Sequence, residues 1–460
     1  MLIERFIDLS KIPRKSGNEK AIAEYIEKFA IKNTLKYIKD KYNNIIVFKE
    51  ATNNSKDTVI LQCHLDMVCE KTKESKHDFS KDPIEVYIDS GFLKAKDTTL
   101  GADNGIGIAT ILEVLESKEI KHPNLECVFT VEEETTMNGA KTIDLSMLKG
   151  NKIISTDSME EKSILIGSAS ADIFDTNMAI SKEENKENLT TFEISLSNFL
   201  GGHSGFDINK GRLNAIKYSA EIIKNIKDKF NAKLCFLEGG DKVNVIPLHA
   251  KFGICIEKDK IISLKEYLEE YINNANEDIN LNIEEITTYK EYISDSSLES
   301  VLNYILEIKN GCLLSDNLNN SLLSLNIGIA DIDVDKCNLQ FSIRSNRETS
   351  KNVLIRELNT LFDKYYVSYN TSSLKGYEAK QDGKLLKLAK EKYLEVYNKN
   401  PKLTEMHICL ESGFFSEKIK DLEFIAISPN IYDAHSTNER CDIASLDRSY
   451  KVLLKILESL

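Results

Sequence analysis

The sequence predicts an α/β domain with a mixed sheet, interrupted by an inserted α+β domain. Strand and helix signals alternate over 1–175, which is typical of a parallel or mixed sheet. Within 176–375, paired strands with helices between them favour an antiparallel sheet, and after this segment the α/β rhythm returns. The simplest architecture joins 1–175 and 376–460 into one domain, so that the C-terminal segment completes the first sheet.

The elements of the first segment follow from apolar periodicity. Ile108, Ile111, Leu112 and Leu115 recur at helical spacing, so we expect an amphipathic helix over 105–116. A further helix is expected over 19–30. Runs rich in β-branched residues predict the strands of this segment at 44–48, 58–63, 125–131 and 152–156.

The remaining elements follow from the same reasoning. A stretch rich in Lys, Glu and Asn, 181–188, predicts a connector. Beyond it we expect strands at 191–196, 250–256, 279–287, 322–327 and 338–343. Helices are expected at 211–227, 263–274 and 353–364. The final segment predicts a helix at 385–397, a strand at 423–427 and a last helix with Leu446, Tyr450, Leu453 and Leu457 on one face.

The charge balance argues against two classes of partner. A net charge of −13 is unsuited to a nucleic-acid binder, which needs a basic face, and to adhesion on anionic membranes. The nine cysteines are dispersed without a CxxC pair, as a reducing cytosol permits. Glu4 and Asp8 interrupt the apolar N-terminus, and no apolar run approaches the ~18 residues that span a bilayer. We therefore expect a cytoplasmic protein.

A histidine and an aspartate leave the end of the strand 58–63 together. His64 and Asp66 are two residues apart, and such residues point to the same face of an extended chain. A metal-binding histidine usually donates its second ring N–H to a carboxylate or a carbonyl, and Asp66 can accept it. Because such a pair also arises by chance, the metal interpretation depends on whether the rest of the chain supplies further ligands.

A loop punctuated by glycine, 99–107, leads into the helix 105–116. It lacks Gly-Lys-Ser/Thr and does not fit GxGxxG, and Asp103 would repel a phosphate but suit a cation. The structural alternative is a simple turn at Asn104 and Gly105, with Asp103 near the helix N-cap.

More acids and a second histidine follow predicted strands. Glu133 and Glu134 come after the strand 125–131, Asp157 after 152–156, and His435 lies in a loop beyond 423–427. Open α/β sheets build their sites at strand ends, and two histidines with three or four carboxylates suit a pair of Zn²⁺ or related divalent ions. The alternatives are an exposed acidic loop and a histidine in a turn.

Together these motifs resemble the di-zinc metallopeptidase family that includes carnosinases and carboxypeptidase G. Within that family the chain is most similar to the aminoacyl-histidine dipeptidases, also called cytosolic non-specific dipeptidases. The resemblance is carried in order by CHLDMV at 63–68, TLGADNGIGIA at 99–109, FTVEEETTMNGA at 129–140, STDS at 155–158, GGHSGFDINKGRLNA at 201–215, NVIP at 244–247, SIRSN at 342–346, LESG at 410–413 and AHS at 434–436. It implies a mixed-sheet di-zinc peptidase catalytic domain with an inserted lid or dimerisation-type domain.

The resemblance also implies roles for individual residues. Asp103 would bridge two Zn²⁺ ions, for which Mn²⁺ or Co²⁺ are alternatives, and a cis peptide bond would follow it. Asp66 would orient a ligand, and Glu133 would be the general base that takes a proton from water and passes it to the leaving amine. The implied metal ligands are His64, Asp103, Glu134, Asp157 and His435.

Three residues of the inserted domain complete the implied site. By resemblance, His203, Asn244 and Arg344 contact the scissile carbonyl or the substrate carboxylate, for which the inserted domain would have to close. The structural alternatives are that His203 caps a turn and that Arg344 makes an ion pair. We expect Glu411 to be a solvated loop residue without a ligand role, and His77, His122 and His249 to lie at the surface.

The predicted function is metal-dependent hydrolysis of dipeptides, with Xaa-His as one candidate substrate. The alternatives are a related amidohydrolase, either an N-acyl amino acid deacylase or a tripeptidase, and a non-catalytic peptide-binding relative. The expected partner is a small peptide. A homodimer is an open alternative. The lid residues would act either on the metal site of their own chain or on that of the partner.

Overall fold

In a computed structural model, which describes residues 2–53, 55–187 and 189–460, the strands alternate with helices at both ends of the chain. The strands are β1 Lys36–Lys39, β2 Ile45–Lys49, β3 Thr58–His64, β4 Val86–Asp89, β5 Phe92–Ala95, β6 Asn124–Thr130, β7 Lys152–Ser155, β8 Ser163–Ser168, β9 Ser170–Met178, β10 Lys182–Glu184, β11 Thr190–Ser197, β12 Gly202–His203, β13 Lys233–Gly239, β14 Val245–Ile246, β15 Ala250–Ile256, β16 Asn280–Glu285, β17 Glu291–Ile293, β18 Gly311–Ser315, β19 Ser321–Ile332, β20 Cys337–Ser345, β21 Val367–Leu374, β22 Lys402–Met406, β23 Glu423–Ala426, β24 Ile431–Tyr432 and β25 Arg440–Asp442.

The helices follow apolar stripes in the sequence, and a 3₁₀ turn covers Lys258–Lys260. They are α1 Leu2–Leu9, α2 Lys20–Lys32, α3 Ala102–Glu116, α4 Asn138–Thr142, α5 Ala215–Phe230, α6 Ile261–Asn273, α7 Asp295–Glu307, α8 Glu348–Tyr365, α9 Lys384–Tyr397, α10 Glu411–Lys418 and α11 Ile443–Ser459. Among the described residues, none of these helices has both the length and the apolar character needed to cross a membrane.

The chain divides into two units. The first consists of Met1–Ser168, Tyr377–Glu405 and Leu410–Leu460, and the second of Ala169–Gly376 and Met406–Cys409. The second unit therefore begins before residue 176, where the sequence analysis placed the boundary, and it also takes in four residues near the start of α10.

The first unit is built on an eight-stranded mixed sheet with the order β1-β2-β6-β3-β7-β23-β8-β22. Its four central strands, β6, β3, β7 and β23, run parallel, and β1, β2 and β8 pair antiparallel to their neighbours. β3 is buried along almost its whole length, as a strand covered on both faces must be. The predicted mixed α/β sheet is confirmed.

The second unit contains a nine-stranded sheet whose pairs are antiparallel. The order is β16-β11-β15-β13-β19-β20-β9-β21, with β18 paired to β19. The helices α5 to α8 bury their apolar faces in the same core as this sheet. Asn214 starts α5 by accepting hydrogen bonds from the backbone N–H groups of Ile216 and Lys217, so the helix begins later than the predicted residue 211.

Several strands were not predicted, and one expectation was wrong. The connector expected at 181–188 contains β10, which pairs with β17. All three residues of β10 are exposed, so the strand is held by its backbone pairing and has no apolar pattern for the sequence to reveal. Asn188, at the end of that stretch, lies outside the described residues.

We expect the core of the second unit to be sensitive to loss of one aromatic ring. Phe341 is fully buried and stacks on Phe174, with ring centroids 5.1 Å apart. Phe341→Ala should lower the free energy of unfolding by roughly 3–5 kcal/mol, measured by urea denaturation, because a cavity replaces the ring. Leu318→Ala is the matched control, since Leu318 is 72% exposed and its loss should cost under about 0.5 kcal/mol. Equal effects of the two substitutions would contradict this account of the core.

Candidate metal centre

The predicted ligands of the first unit lie at one edge of its sheet. His64 is the last residue of β3, Glu133 and Glu134 follow β6, and Asp157 follows β7. His435 lies beyond β23 and the short strand β24. Because β6, β3, β7 and β23 are adjacent and parallel, the loops after them leave the sheet on the same side, where open α/β sheets carry their sites.

Asp103 lies between the two histidines. His64 Nε2 is 3.0 Å from Asp103 Oδ1, and His435 Nε2 is 3.2 Å from Asp103 Oδ2. His435 Nε2 is also 3.0 Å from Glu134 Oε1. The peptide bond between Asp103 and Asn104 is cis. One carboxylate thus presents an oxygen to each histidine.

The potential ligand atoms form two main groups that share Asp103. The first contains His64, Asp103 and Asp157, and the second contains Asp103, Glu134 and His435; within each group the donor atoms lie within 4.8 Å of one another. A further group combines His64, Glu133 and Glu134 under the same limit. Imidazole nitrogens and carboxylate oxygens in such groups can hold two divalent ions with one carboxylate between them.

Asp66 ties the end of β3 to the acidic loop after β6. Its Oδ1 accepts the backbone N–H of Glu133 at 3.0 Å, and its Oδ2 accepts that of Glu134 at 3.1 Å. His64 Nδ1 lies 3.3 Å from Asp66 Oδ1 and Ser16 Oγ donates to Oδ2 at 2.7 Å. Burial raises the pKa of Asp66, but the adjacent His64 ring and the hydrogen bonds from Ser16 and Glu134 outweigh it, so the net pKa is lowered. Asp66 therefore stays ionised and is positioned to orient His64.

The acids around Asp103 lie too close together for all of them to be ionised at once without a compensating positive charge. Burial and the neighbouring Asp103 raise the pKa of Asp157 to about 7. Burial, with Asp157 and Glu411 nearby, raises the pKa of Glu133 well above its usual value. The pKa of His435 rises to about 10 through its contacts with Asp103 and Glu134. These shifts show that the site favours added positive charge.

The donor set fits divalent metal ions. Glu134 Oε1 is buried without a hydrogen-bond partner among the described residues, although His435 Nε2 lies close to it. A buried carboxylate oxygen without a donor is costly, and a cation coordinated there would satisfy it. The mix of histidine and carboxylate ligands suits Zn²⁺ and related divalent ions.

The glycines of the loop 99–107 permit close packing around Asp103. Gly101 has a φ of 68°, and a Cβ there would lie 2.6 Å from Arg14 Nη2. A Cβ on Gly107 would lie 1.8 Å from Asn104 Oδ1 and 2.1 Å from Thr156 Oγ1. Asp103 does lie near the N-cap of α3, as the structural alternative expected, but Asp103 and Asn104 are both buried in the first turn of that helix, so the loop is more than a simple turn.

Glu411 corrects the sequence analysis, which expected a solvated loop residue. It is 4% exposed at the start of α10, and its Oε2 accepts hydrogen bonds from Gln62 Nε2 at 2.6 Å and Thr130 Oγ1 at 2.8 Å. Its Oε1 is buried without a partner among the described residues. Burial raises the pKa of Glu411 to about 8. Among the described residues it belongs to none of the groups of potential ligand atoms.

Arg14 was also missed by the sequence analysis. It is buried, and its guanidinium donates to the backbone carbonyls of Asp66 at 2.8 Å, Leu65 at 3.3 Å and Gly101. It thereby links the end of β3 to the loop that carries Asp103. Its partners are backbone oxygens far away in the sequence, so no local motif reveals it.

In the second unit, Ser204 connects the three predicted lid residues. Its backbone N–H donates to the carbonyl of Asn244 at 2.9 Å, its Oγ accepts from Arg344 Nε at 3.2 Å, and it follows His203. The side chain of Asn244 is exposed. The structure thus brings the three residues into one cluster.

The hydrogen bonds of His203 define its tautomer. Its Nδ1 accepts the backbone N–H of Gly205 at 3.1 Å, so the ring does cap the turn, as the structural alternative proposed. Burial and the charge of Arg344 lower the pKa of His203. A neutral ring that accepts at Nδ1 carries its proton on Nε2, so capping through Nδ1 leaves the Nε2–H as a donor.

Arg344 is buried without a carboxylate partner among the described residues. Its other polar contact is Cys409 Sγ at 4.0 Å from Nη1, and burial lowers its pKa. The ion pair of the structural alternative is therefore wrong. A buried guanidinium without a counter-charge is suited to binding an anionic group.

One of the three histidines that the sequence analysis placed at the surface contradicts that expectation. His122 is fully buried, and its Nδ1 lies 2.7 Å from the carbonyl oxygen of Pro123. His77 is half-buried and His249 is exposed.

The chain is similar to known proteins over almost its whole length. The profile of peptidase family M20/M25/M40 matches residues 60–459. The cytosol non-specific dipeptidase of Escherichia coli (strain K12) is 29% identical over 467 aligned positions, which cover 99% of this chain and 96% of the relative. The crystal structure of the aminoacylhistidine dipeptidase from Vibrio alginolyticus matches with a TM-score of 0.87 and 29% identity, covering 100% of this chain and 96% of that one. Aminopeptidase PepT from Bacillus cereus, with a TM-score of 0.58, 15% identity and coverage of 99% and 97%, shares the fold.

The raised pKa of Glu411 predicts how stability changes with pH in EDTA-treated protein. Between the ordinary glutamate pKa of 4.5 and about 8, the unfolded state loses the proton while the folded state keeps it, so stability falls as pH rises. Glu411→Gln removes this contribution. Its free energy of unfolding, relative to the parent, should therefore rise by roughly 2–4 kcal/mol from pH 4.5 to pH 8, measured by urea denaturation.

Glu395→Gln provides the control for this pH dependence. Hydrogen bonds from Lys392 and Lys455 lower the pKa of the exposed Glu395 to about 2, so its contribution is nearly complete by pH 4.5. This variant should change little relative to the parent across the same range. A constant difference between Glu411→Gln and the parent would show that Glu411 ionises normally.

Proposed function

Because the chain belongs to the M20/M25/M40 peptidase family, we propose that it is a metal-dependent dipeptidase acting on short peptides with free termini. The observation that best supports this proposal is the position of Asp103, whose carboxylate faces His64 on one side and His435 on the other. The family resemblance expected from the motifs is confirmed. Xaa-His peptides are one candidate substrate, supported by the name of the Vibrio alginolyticus relative.

The proposed metal ligands are the two groups that share Asp103. His64 and Asp157 would complete the first position, and Glu134 and His435 the second. We propose Zn²⁺ in both, with Mn²⁺ or Co²⁺ as alternatives. Bound divalent ions would lower the pKa of a coordinated water to roughly 7, which supplies a nucleophile at neutral pH.

Glu133 is the proposed general base. It belongs to the group with His64 and Glu134, and its raised pKa supports a carboxyl that can hold a proton within this site. It would take the proton of the attacking water and deliver it to the nitrogen of the leaving amine. Its backbone N–H is held by Asp66, which fixes the start of its side chain.

The lid residues are proposed to bind the substrate. His203 has a donor at Nε2 for the oxygen of the scissile carbonyl, a contact that strengthens as negative charge develops there. Arg344 would pair with the free carboxylate of the dipeptide, since it has no carboxylate partner among the described residues. Asn244, beside Ser204, is proposed to donate to the substrate from its exposed amide.

A substrate panel separates the dipeptidase from its alternatives. Metal-loaded protein is offered Ala-His and other dipeptides, a tripeptide and N-acetyl amino acids. Turnover limited to acylated amino acids would support a deacylase, and turnover limited to the tripeptide would support a tripeptidase. Binding without turnover on every substrate would identify a peptide-binding relative.

The setting of the proposed activity is the cytoplasm, supported by the name of the Escherichia coli relative and the dispersed cysteines. A homodimer would allow His203 to act on the partner subunit. Mixing Glu133→Gln chains with His203→Ala chains tests this directly, because activity returns only when one intact site can be assembled across a dimer.

Replacing the proposed base should remove turnover while leaving the ligands in place. Glu133→Gln should lower kcat on a dipeptide by roughly 10²–10⁴-fold, because the amide cannot accept the proton. Metal content, measured by inductively coupled plasma mass spectrometry, should match the parent. Glu132→Gln alters the neighbouring carboxylate, which accepts from Thr136 Oγ1, and should stay within a few-fold of parental activity. Robust turnover by Glu133→Gln would refute this mechanism.

Removing the guanidinium should affect only substrates with a free carboxylate. Arg344→Met should lower kcat/KM on a dipeptide by roughly 10–100-fold, the equivalent of a charged hydrogen bond, but leave that on the matching dipeptide amide nearly unchanged. Arg356→Met, on the exposed face of α8, controls for loss of charge in the same unit. An equal loss of kcat/KM on both substrates would show that Arg344 does not bind the substrate carboxylate.

A further inference from the structure

Glu439 holds the backbone of the Asp103 loop at four consecutive amides. Its Oε2 accepts the N–H groups of Leu100 at 2.8 Å and Gly101 at 2.9 Å. Its Oε1 accepts those of Ala102 at 2.8 Å and Asp103 at 3.4 Å. Glu439 is 3% exposed, so these bonds form away from water. One side chain therefore fixes the main chain up to and including the shared ligand.

These amides belong to the start of α3, which has no cap of its own. Gly101 occupies the N-cap position and cannot provide a side-chain acceptor. The first N–H groups of a helix need partners and favour negative charge. Glu439, 338 residues away from Gly101, supplies both.

The segment that contains Glu439 also carries His435. The backbone N–H of Glu439 donates to the carbonyl of Ser436 at 3.1 Å, so residues 436–439 form a tight turn that begins directly after His435. His435 Nε2 reaches the Asp103 side chain, while Glu439 reaches the Asp103 backbone. The segment 435–439 thus contacts Asp103 twice, through His435 and through Glu439.

Arg14 secures the other side of the same peptide segment. It donates to the carbonyl of Gly101, whose N–H donates to Glu439, and it also binds the carbonyl of Asp66. The Asp103 loop is therefore held towards β3 by Arg14 and towards the segment 435–439 by Glu439.

We propose that Glu439 is a positioning residue that sets the spacing between Asp103 and His435, and with it the affinity of the second metal position. The inference rests on the two-metal function proposed above. The other proposed ligands of the first position, His64 and Asp157, lie at the ends of β3 and β7, and within the described part of the chain Glu439 makes no hydrogen bond to either residue. Loss of Glu439 should therefore weaken the second position far more than the first.

The test is the Zn²⁺ binding isotherm of Glu439→Gln in chelator-buffered solution, with Co²⁺ absorption as a second readout. The parent protein should bind two equivalents of Zn²⁺. The variant should keep the first within about threefold and bind the second roughly 10–100-fold more weakly, the usual cost of losing a group that orients a ligand. The Co²⁺ spectrum should lose only the component that appears with the second equivalent.

Glu126→Gln is the matched control. Glu126 is also a buried carboxylate of the first unit that accepts backbone N–H groups, from Lys149 at 2.9 Å and Gly150 at 3.0 Å, but it lies near the opposite end of β6. This variant should bind both equivalents as the parent does, even if its melting temperature falls.

The outcomes separate the two proposals. A parent that binds fewer than two equivalents would overturn the two-metal function itself. A parent with two equivalents and a Glu439→Gln variant that weakens both equally, or neither, would overturn the positioning role. If Glu439→Gln does not fold, Glu439→Asp replaces it: the carboxylate is drawn back by one methylene, and the same selective loss of the second equivalent is expected.

Discussion

The candidate site depends on the parallel pairing of β6, β3, β7 and β23. In this register His64 lies opposite Thr130, and Gln62 and Ala426 both lie opposite Ser155. Parallel strands end at one edge, with neighbours about 4.8 Å apart. The loops that bear the acids therefore start close together, and only their first few residues need to be specified for the ligand atoms to converge.

Convergence alone would not hold acidic loops together, because their carboxylates repel one another. Hydrogen bonds that buried carboxylates accept from the backbone of the loops offset this repulsion. Asp66 uses both oxygens on the N–H groups of Glu133 and Glu134, and Glu439 uses both on the loop before Asp103. Each links two segments that are distant in sequence. The backbone of these loops is thereby fixed by Asp66 and Glu439 rather than by the side chains predicted to bind metal.

The sequence predicted what is periodic or local. The buried run of β3, the helix α3 and the positions of acids after strands are all visible within short windows, and the family motifs assigned the ligand types. It did not predict Glu411, whose partners Gln62 and Thr130 lie 349 and 281 residues away. It also misplaced the start of the second unit, because β8 and β9 are separated by one residue, Ala169, and no linker composition marks the change.

The hydrogen-bond partners of the buried acids separate those that build the site from those available for chemistry. Asp66 and Glu439 have backbone donors on both oxygens, and such an acid is fixed in place. Glu134 and Glu411 each keep one buried oxygen without a hydrogen bond among the described residues. Glu133 and Asp157 have raised pKa values, because burial and like charges are not offset by donors. Since a buried polar group without a partner costs stability, these acids beside two histidines are better explained by a cation bound among them than by the stability of the fold itself.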